Sequence, residues 1–345
     1  MRLAVLFSSL ALASASNLAA QARCDSAFQA AADTVRRMVA GLELEGAGLM
    51  IRVKGRDVCD VYVGAFGPET MFPIVSGAKW ISSATILTLV DDGKLRLDDP
   101  VSHWLPYFKG DKKGITIRQL LSHTSGLLGH VPCMFQPQLP MDDCAREIAD
   151  AKLAGKPGLM FLYGGASYTV AGRVAEVVAG MSWAQIFATR IARPLGLEHT
   201  GYGVIPNPML SEGDVYSSAA DYLNFLQMIV DRGMYRGQRV LSEAAIDEMM
   251  RDQTSGVTER VSPAGDRAYG LGCWRNLVDS ATGRPLLVTS PGAGGFVPWV
   301  APAEGMVGVL AVADQIDRVW PTARAVLDLA RKGAAALDST ATSRR

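Results

Sequence analysis

The segment Phe72-Pro73-Ile74-Val75-Ser76-Gly77-Ala78-Lys79 holds the single Ser-x-x-Lys spacing of the chain. Its first half, residues 72–75, predicts a short β-strand, and Ser76 opens a helical pattern that continues to about Asp91. Residues i and i+3 lie on one face of a helix, so the Lys79 ammonium can reach the Ser76 hydroxyl. The positive end of the helix favours negative charge at that hydroxyl. These are the requirements of an activated serine nucleophile.

The Ser-x-x-Lys spacing alone is a weak signal. The chain contains nine lysines, so one such spacing can arise by chance. A buried serine followed by a surface lysine at an ordinary helix start is the structural alternative. The remainder of the sequence must therefore decide between the two interpretations.

Length and composition describe a globular chain without a polyelectrolyte partner. Its 345 residues are 49% hydrophobic and 20% charged, enough to bury one large core or two modest ones, which excludes a disordered chain. The 34 Lys and Arg residues balance the 34 Asp and Glu residues. This balance leaves no basic field for nucleic acid and no polybasic arm for anionic lipid. We expect a small-molecule or peptide partner.

The first 22 residues predict a cleaved signal peptide. A charged start precedes an apolar run over residues 3–15 that is too short to span a bilayer. Ala20-Gln21-Ala22 is a cleavage site that leaves Arg23 as the mature N-terminus, and Ala13-Ser14-Ala15 is a competing site. An N-terminal apolar helix is the alternative. We expect a secreted or periplasmic protein with no stable membrane insertion.

The five cysteines allow two disulfides in an oxidising compartment. Cys133 and Cys144 flank a proline-containing loop that they can bridge, and Cys24 can tie the first helix to the strand that carries Cys59. Cys273 is then the unpaired residue. Five buried thiols are the alternative, and no spacing suggests a metal site.

The hydrophobic pattern places sheet-forming regions on either side of a helical middle. We predict a single catalytic domain over residues 23–338, with a sheet from about 45–75 and 265–315, a helical lobe at about 76–255, and a disordered tail at 339–345. The predicted helices are 25–40, 76–91, 167–180, 182–192, 218–231 and 319–333, with a capping box at Thr116 and Gln119. The predicted strands are 47–53, 58–63, 269–274, 286–289, 296–300 and 307–312. The first two form a β-hairpin joined by the turn Lys54-Gly55-Arg56-Asp57.

The sequence contains no G-x-S-x-G, P-loop, G-x-G-x-x-G or H-E-x-x-H signature. Several other segments follow the Ser76 motif in a defined order, and they indicate which kind of protein contains it. After residues 72–79 come Asp91-Asp92-Gly93-Lys94-Leu95-Arg96-Leu97-Asp98-Asp99-Pro100-Val101, Leu120-Leu121-Ser122-His123-Thr124-Ser125-Gly126-Leu127, Pro157-Gly158 with Phe161-Leu162-Tyr163, Pro194-Leu195-Gly196-Leu197 and Tyr216-Ser217-Ser218-Ala219-Ala220-Asp221-Tyr222-Leu223. Together they resemble the serine β-lactamase and penicillin-binding-protein superfamily, in particular the class C β-lactamase-like branch with its D-amino-acid peptidases and family VIII carboxylesterases. The resemblance covers about residues 25–333. It implies an α+β fold in which an antiparallel sheet flanked by helices faces a mainly helical lobe, with the active site between them.

The resemblance also implies roles for individual residues. Tyr163 falls at the tyrosine of the family's Y-x-N motif, where a phenol beside an ammonium can accept the serine proton. A packed aromatic ring with a satisfied hydroxyl is the structural alternative. The family's third motif best matches Ser290-Pro291-Gly292, in which Gly292 allows close approach of the strand to the substrate. The amides of Ser76 and Ala293 then form the oxyanion hole.

Two positions depart from the family pattern. Gly165 stands where Y-x-N has its asparagine, and Ser290 stands where the third motif has Lys or His. In β-lactamases and transpeptidases those side chains hold the substrate's amide and carboxylate. Ser290, Gly292 and Gly165 are nevertheless the expected substrate-binding positions. The Ser290 hydroxyl can donate one hydrogen bond but carries no charge. These departures favour a neutral ester or amide substrate over a penicillin.

The other candidate residues have mainly structural interpretations. His123 is expected to satisfy backbone groups in its loop, Ser125 to shape the turn, and Asp221 to act as a first-turn helix residue. Trp274 and Trp299 either line the cleft or pack in the core.

Together these features predict a secreted serine hydrolase that acts through a Ser76 acyl-enzyme. Carboxylesterase is the activity that they favour. No metal or organic cofactor is implied. A D-amino-acid peptidase or amidase, or a weak β-lactamase, is the alternative within enzymes. A catalytically silent binding or scaffold protein is the alternative outside them. The expected partner is a small-molecule ester, amide or peptide.

Overall fold

The computed structural model describes residues 23–203, 205–207, 209–211 and 215–342. The predicted signal peptide, residues 1–22, and positions 343–345 of the predicted tail lie outside the described residues. Within the described ranges, no helix is long and apolar enough to cross a membrane.

Short strands and helices alternate along the described chain. The strands are β1 Arg23–Cys24, β2 Gly46–Val53, β3 Arg56–Gly64, β4 Met71–Pro73, β5 Met160–Leu162, β6 Thr200–Tyr202, β7 Val215–Ser218, β8 Met234–Tyr235, β9 Gln238–Arg239, β10 Glu259–Val261, β11 Trp274–Val278, β12 Pro285–Thr289, β13 Phe296–Ala301 and β14 Met306–Val312. The α-helices are α1 Gln29–Gly41, α2 Ala78–Asp91, α3 Ile117–Leu121, α4 Met141–Asp150, α5 Ala166–Ala179, α6 Trp183–Phe187, α7 Arg193–Leu195, α8 Ala219–Val230, α9 Glu243–Met250 and α10 Ile316–Thr342.

The predicted hairpin forms the N-terminal part of the main sheet. Strands β2 and β3 pair antiparallel around Lys54 and Gly55, whose φ angles of 48° and 76° are both positive. A two-residue hairpin turn with this handedness matches the natural twist of the strands, and glycine adopts the second position without strain.

The N- and C-terminal parts of the chain build one antiparallel sheet, as predicted. Strand β14 pairs with β2 from Met306 opposite Val53 to Val312 opposite Ala47. The full order is β1-β3-β2-β14-β13-β12-β11. Because the helical lobe is inserted between β3 and β11, its first helix begins beside the middle of this sheet.

Helices cover both faces of the sheet. Alternate residues of β2 point to opposite sides, so Leu49 packs in the core formed with α1 and α10, whereas Met50 packs in the core of the helical lobe. On the lobe side, α8 lies against β2, β13 and β14. Burial on both faces explains why β13 and β14 are apolar without alternation and buried throughout.

Three elements differ from the sequence-based predictions. The strand predicted at 269–274 instead begins at Trp274, because Gly272 turns the chain with φ 85° and passes so close to α2 that a Cβ would lie 2.5 Å from the Lys79 carbonyl oxygen. The helix predicted at 182–192 is α6 followed by a π-helical turn. The last helix reaches Thr342, so the prediction of disorder is wrong for 339–342. Three consecutive alanines at 334–336, the residue type with the strongest helix propensity, precede this stretch within the same helix.

Both expected disulfides are present. Cys24 on β1 bonds Cys59 on β3, and Cys133 bonds Cys144 at the start of α4. Cys273, one residue before β11, is a buried free thiol. The first bond links β1 to β3 at the edge of the sheet, and the second closes the loop that leads into α4.

We expect the double variant Cys133→Ser/Cys144→Ser to lose about 2 to 4 kcal/mol of unfolding free energy, because the disulfide restricts the unfolded chain. Denaturant unfolding of oxidised wild type and variant checks this difference. Cys273→Ser leaves both disulfides intact and is the control for replacing a buried sulfur. Equal stabilities of wild type and double variant would contradict the prediction.

Candidate active site

Ser76 lies where the main sheet meets the helical lobe. Strand β4 delivers the chain to a 3-10 turn at Val75–Gly77, in which Val75 has a φ of 45°, and α2 follows directly. The Tyr222 hydroxyl donates a 2.7 Å hydrogen bond to the Gly77 carbonyl and anchors this turn. A non-glycine residue with positive φ is costly and is typical of functional turns. Ser76 is partly exposed at the start of α2.

Lys79 lies one helical turn after Ser76 and is completely buried. Its Nζ donates to the Ser76 Oγ at 3.1 Å and to the Ser211 carbonyl oxygen at 2.8 Å. The same Nζ lies 4.6 Å from the centroid of the Tyr163 ring. Oxygen acceptors and an aromatic face stabilise an ammonium that has lost its water. The structure thus brings together the three residues predicted for catalysis.

Tyr163 is positioned by the strand that precedes it. Strand β5 pairs in parallel with β10, and the Tyr163 amide continues this ladder by donating to the Val261 carbonyl at 3.1 Å. Its ring packs against His123 and Trp274, with centroid distances of 4.6 and 5.2 Å. Aromatic packing on two sides restricts the ring, so the tyrosine stays beside Lys79.

The loop after β12 brings a backbone amide beside Ser76. The Gly292 amide donates to the Phe296 carbonyl at 2.7 Å, and the Ala293 carbonyl accepts from Ile316 at 2.8 Å. Among the described residues the Ala293 amide has no acceptor of its own. It is therefore free to bind a developing oxyanion, the role that the family resemblance implies for it.

Glycine is required at position 292 for this close approach. A Cβ there would lie 2.2 Å from the Ile74 carbonyl oxygen, two residues before Ser76. We expect Gly292→Ala to push the loop away from Ser76 and to lower kcat by about 10²-fold, the effect of losing one oxyanion donor. Gly294→Ala is the matched control, because its Cβ has only ordinary contacts from 3.5 Å outward. Steady-state kinetics of the two variants checks the prediction, which equal kcat values would refute.

A cavity of about 700 Å³ opens in front of Ser76. Tyr163, Trp274 and Ala293 line its inner part, and Ile316, Asp317 and Trp320 of α10 line another wall. The sequence predicts a helix at 319–333 but not its place beside the cavity, because that place depends on packing of α10 against the sheet. The volume suits a substrate the size of a small organic ester.

A family model described as Beta-lactamase matches residues 31–332. The chain belongs to the beta-lactamase family. A beta-lactamase-like protein of Bacteroides dorei has a similar structure, with a TM-score of 0.77 and 32% identity over 84% of this chain and 91% of that one. A family VIII carboxylesterase shares the fold at 19% identity, with a TM-score of 0.74 over 89% of this chain and 99% of that one.

Curated relatives of this beta-lactamase-family protein match over shorter regions. Penicillin-binding protein 4 of Amycolatopsis lactamdurans is 33% identical over 54% of this chain and 58% of its own length. Teichoic acid D-alanine hydrolase of Staphylococcus aureus is 33% identical over 46% of this chain and 40% of its own length. The aligned region thus spans little more than half of the first relative and less than half of the second.

The two positions that depart from the family pattern do not face the cavity. The Ser290 hydroxyl lies 2.9 Å from the Gly272 carbonyl oxygen and 3.2 Å from that of Ser76, and the side chain is 2% exposed. The Gly165 amide donates to the Gly129 carbonyl at 2.8 Å as α5 begins. The predicted substrate-binding positions Ser290 and Gly165 therefore present no side chain to the cavity: a hydroxyl has one proton, which Ser290 uses within the protein, and glycine has no side chain to offer.

His123 differs from its expected role. Neither imidazole nitrogen has a hydrogen-bond partner among the described residues, so the side chain does not satisfy backbone groups. Its ring lies among Phe161, Tyr163, Tyr168 and Tyr269. Burial first, and then the nearby Lys79 charge, hold the pKa of His123 well below its usual range. The imidazole is therefore neutral at pH 7 and acts as packing behind Tyr163.

The structural interpretations of Ser125, Asp221 and Trp299 are confirmed. Ser125 shares a 2.8 Å hydrogen bond with Ser167 and accepts from the Leu127 amide. Asp221 accepts from the His199 amide and the Thr200 hydroxyl at the start of α8. Trp299 is buried in the core. Within the described residues, no cluster of three or more His, Cys, Asp or Glu side chains could hold a metal ion.

Proposed function

We propose that this protein is a carboxylesterase-type serine hydrolase that forms an acyl-enzyme on Ser76. The observation that carries the proposal is the 3.1 Å contact between the buried Lys79 ammonium and the Ser76 hydroxyl, at a helix start that opens into a cavity. A lysine has little structural reason to be buried completely, because removing its charge from water is costly. Its position beside a partly exposed serine supports a chemical role.

In the proposed reaction, Tyr163 assisted by Lys79 takes the proton from Ser76 while Oγ attacks the substrate's carbonyl carbon. The resulting oxyanion is held by the amides of Ser76 and Ala293. The proton then passes to the leaving oxygen, the carbon–oxygen bond breaks, and an ester to Ser76 remains. Water attacks this ester by the reverse proton path and releases the acid.

The departures from the family pattern at positions 165 and 290 favour an ester substrate over a β-lactam substrate. Neither position supplies a side chain that could hold the amide of an acylamino acid. Esters have a better leaving group than amides and need less binding energy to reach the same rate. The Ser76, Lys79 and Tyr163 group is retained, which favours a working hydrolase over a silent binding protein.

Turnover of p-nitrophenyl butyrate, a D-alanyl-D-alanine peptide and a chromogenic cephalosporin tests the assignment. We expect hydrolysis of the ester, with kcat/KM at least about tenfold above that for either other substrate. Faster cleavage of the peptide would indicate a D-amino-acid peptidase, an alternative that the similarity to a teichoic acid D-alanine hydrolase supports. Faster cleavage of the cephalosporin would indicate a β-lactamase, and no turnover would favour a silent protein.

We further propose that the chain is exported and works in the periplasm or outside the cell. Its two disulfides support this location, because such bonds persist in oxidising compartments. N-terminal sequencing of protein from the periplasm or medium should begin at Arg23. Full-length protein confined to the cytoplasm would contradict the proposal.

A further inference from the structure

The charged side chain of Arg267 lies on the cavity wall but has no role in the proposed reaction. Arg267 lies between β10 and β11 and lines the same cavity as Ser76, together with its neighbours Pro263 and Ala264. It is half-buried. Its segment was not singled out by any sequence motif.

The Arg267 guanidinium has neither an ion pair nor a hydrogen bond within the described part of the chain. Other partly buried arginines are paired: Arg118 contacts Asp98 and Glu248, and Arg173 contacts Asp142 and Glu176. Burial first, and then the like charge of Arg324, lower the pKa of the Arg267 guanidinium. An arginine remains protonated in proteins, so the cavity keeps a positive charge that the protein does not neutralise.

The carboxylate in the same cavity is in a different situation. Asp317 is exposed to water and lies in the first turn of α10, where the positive end of the helix stabilises it. It is not within ion-pair distance of Arg267. The Asp317 carboxylate is therefore solvated and does not neutralise the half-buried guanidinium of Arg267.

The backbone at Arg267 is held in place. Arg260 Nη1 donates to the Arg267 carbonyl at 3.2 Å, and the Arg275 amide donates to the Ala268 carbonyl at 3.0 Å. These bonds attach the segment to β10 and β11 on both sides. A cation on a fixed support loses little entropy when it binds a ligand, which is a requirement for specificity.

We propose that Arg267 binds a carboxylate on the substrate, so that the preferred esters carry an anionic group away from the cleaved bond. This inference rests on the proposed function and names its substrate class. It revises the expectation of a neutral substrate, which considered positions 165 and 290 alone. Arg267 lies on a different segment from these two positions, and this segment lines the cavity.

Two p-nitrophenyl esters of equal acyl length test the preference, the neutral valerate and the monoanionic glutarate. We expect wild type to show a kcat/KM for the glutarate at least about tenfold higher, the effect of one charge-assisted hydrogen bond. Arg267→Gln should abolish this ratio by lowering kcat/KM for the glutarate. Arg267→Lys should retain part of it. Arg324→Gln removes an equal charge outside the cavity and should preserve the ratio.

Binding to the Ser76→Ala variant tests the inference without turnover. Fluorescence of Trp274 and Trp320, which line the cavity, reports titration with methyl valerate or monomethyl glutarate. The glutarate should bind at least about tenfold more tightly, and Ser76→Ala/Arg267→Gln should lose that difference. Equal binding of both esters, or a ratio unchanged by Arg267→Gln, would overturn the role of Arg267. Ser76-independent turnover would instead overturn the proposed function.

Discussion

Replacing Ser76 with alanine should lower kcat/KM for p-nitrophenyl butyrate by at least about 10³-fold, because the variant has no nucleophile to form the acyl-enzyme. The residual rate would come from binding and the oxyanion amides alone. Fold and stability should be retained, since the Ser76 side chain is partly exposed and packs in no hydrophobic core. Initial-rate kinetics, together with circular dichroism, measures both properties.

Ser102→Ala is the control for this experiment. The Ser102 hydroxyl donates to the Lys113 carbonyl at the protein surface, away from the cavity, so its loss should leave kcat/KM unchanged. A Ser76→Ala variant that retains more than about a tenth of the wild-type rate would show that another group is the nucleophile.

Lys79→Met should separate catalysis from stability. Methionine fills a similar volume without the charge, so we expect kcat to fall by about 10²- to 10⁴-fold, the range for loss of a general acid–base group. The free energy of unfolding should stay equal or rise, because an apolar side chain no longer has to lose water on folding. Kinetics and thermal unfolding of the same preparation check both parts.

Lys112→Met is the matched control, since Lys112 is also buried, with 8% of its surface exposed, but lies outside the cavity. It should leave kcat within about twofold. If Lys79→Met lost activity and stability together, the loss would reflect unfolding and Lys79 would be a structural residue.

Local signals in the sequence predicted much of the fold. The hairpin around Lys54 and Gly55 follows from alternation and turn chemistry. The capping box at Thr116 and Gln119 forms because both partners lie within one helical turn. The disulfide between Cys133 and Cys144 is likewise short in sequence. Such features depend on neighbouring residues, so a single sequence contains the information.

Prediction of the three catalytic residues also required the family resemblance. Ser76 and Lys79 are three residues apart and were predicted from helix geometry, but Tyr163 lies on a distant element. No periodicity places a residue after β5 beside the start of α2. The order of the matching segments supplied that relation, and the structure confirms the contact.

Features set by long-range packing were missed or misjudged. The Ser290 hydroxyl points to backbone carbonyls because β12 ends against the Ser76 turn. Arg267 and Trp320 reach the cavity from elements that no motif connects with Ser76. The direction of a side chain depends on tertiary contacts that a linear pattern does not contain.

Labelling with a fluorophosphonate probe tests most directly whether Ser76 is the activated nucleophile. We predict one adduct per chain, located by peptide mass spectrometry at Ser76, absent from Ser76→Ala and much slower in Lys79→Met. An unlabelled wild-type protein, or an adduct on a different serine, would contradict the account.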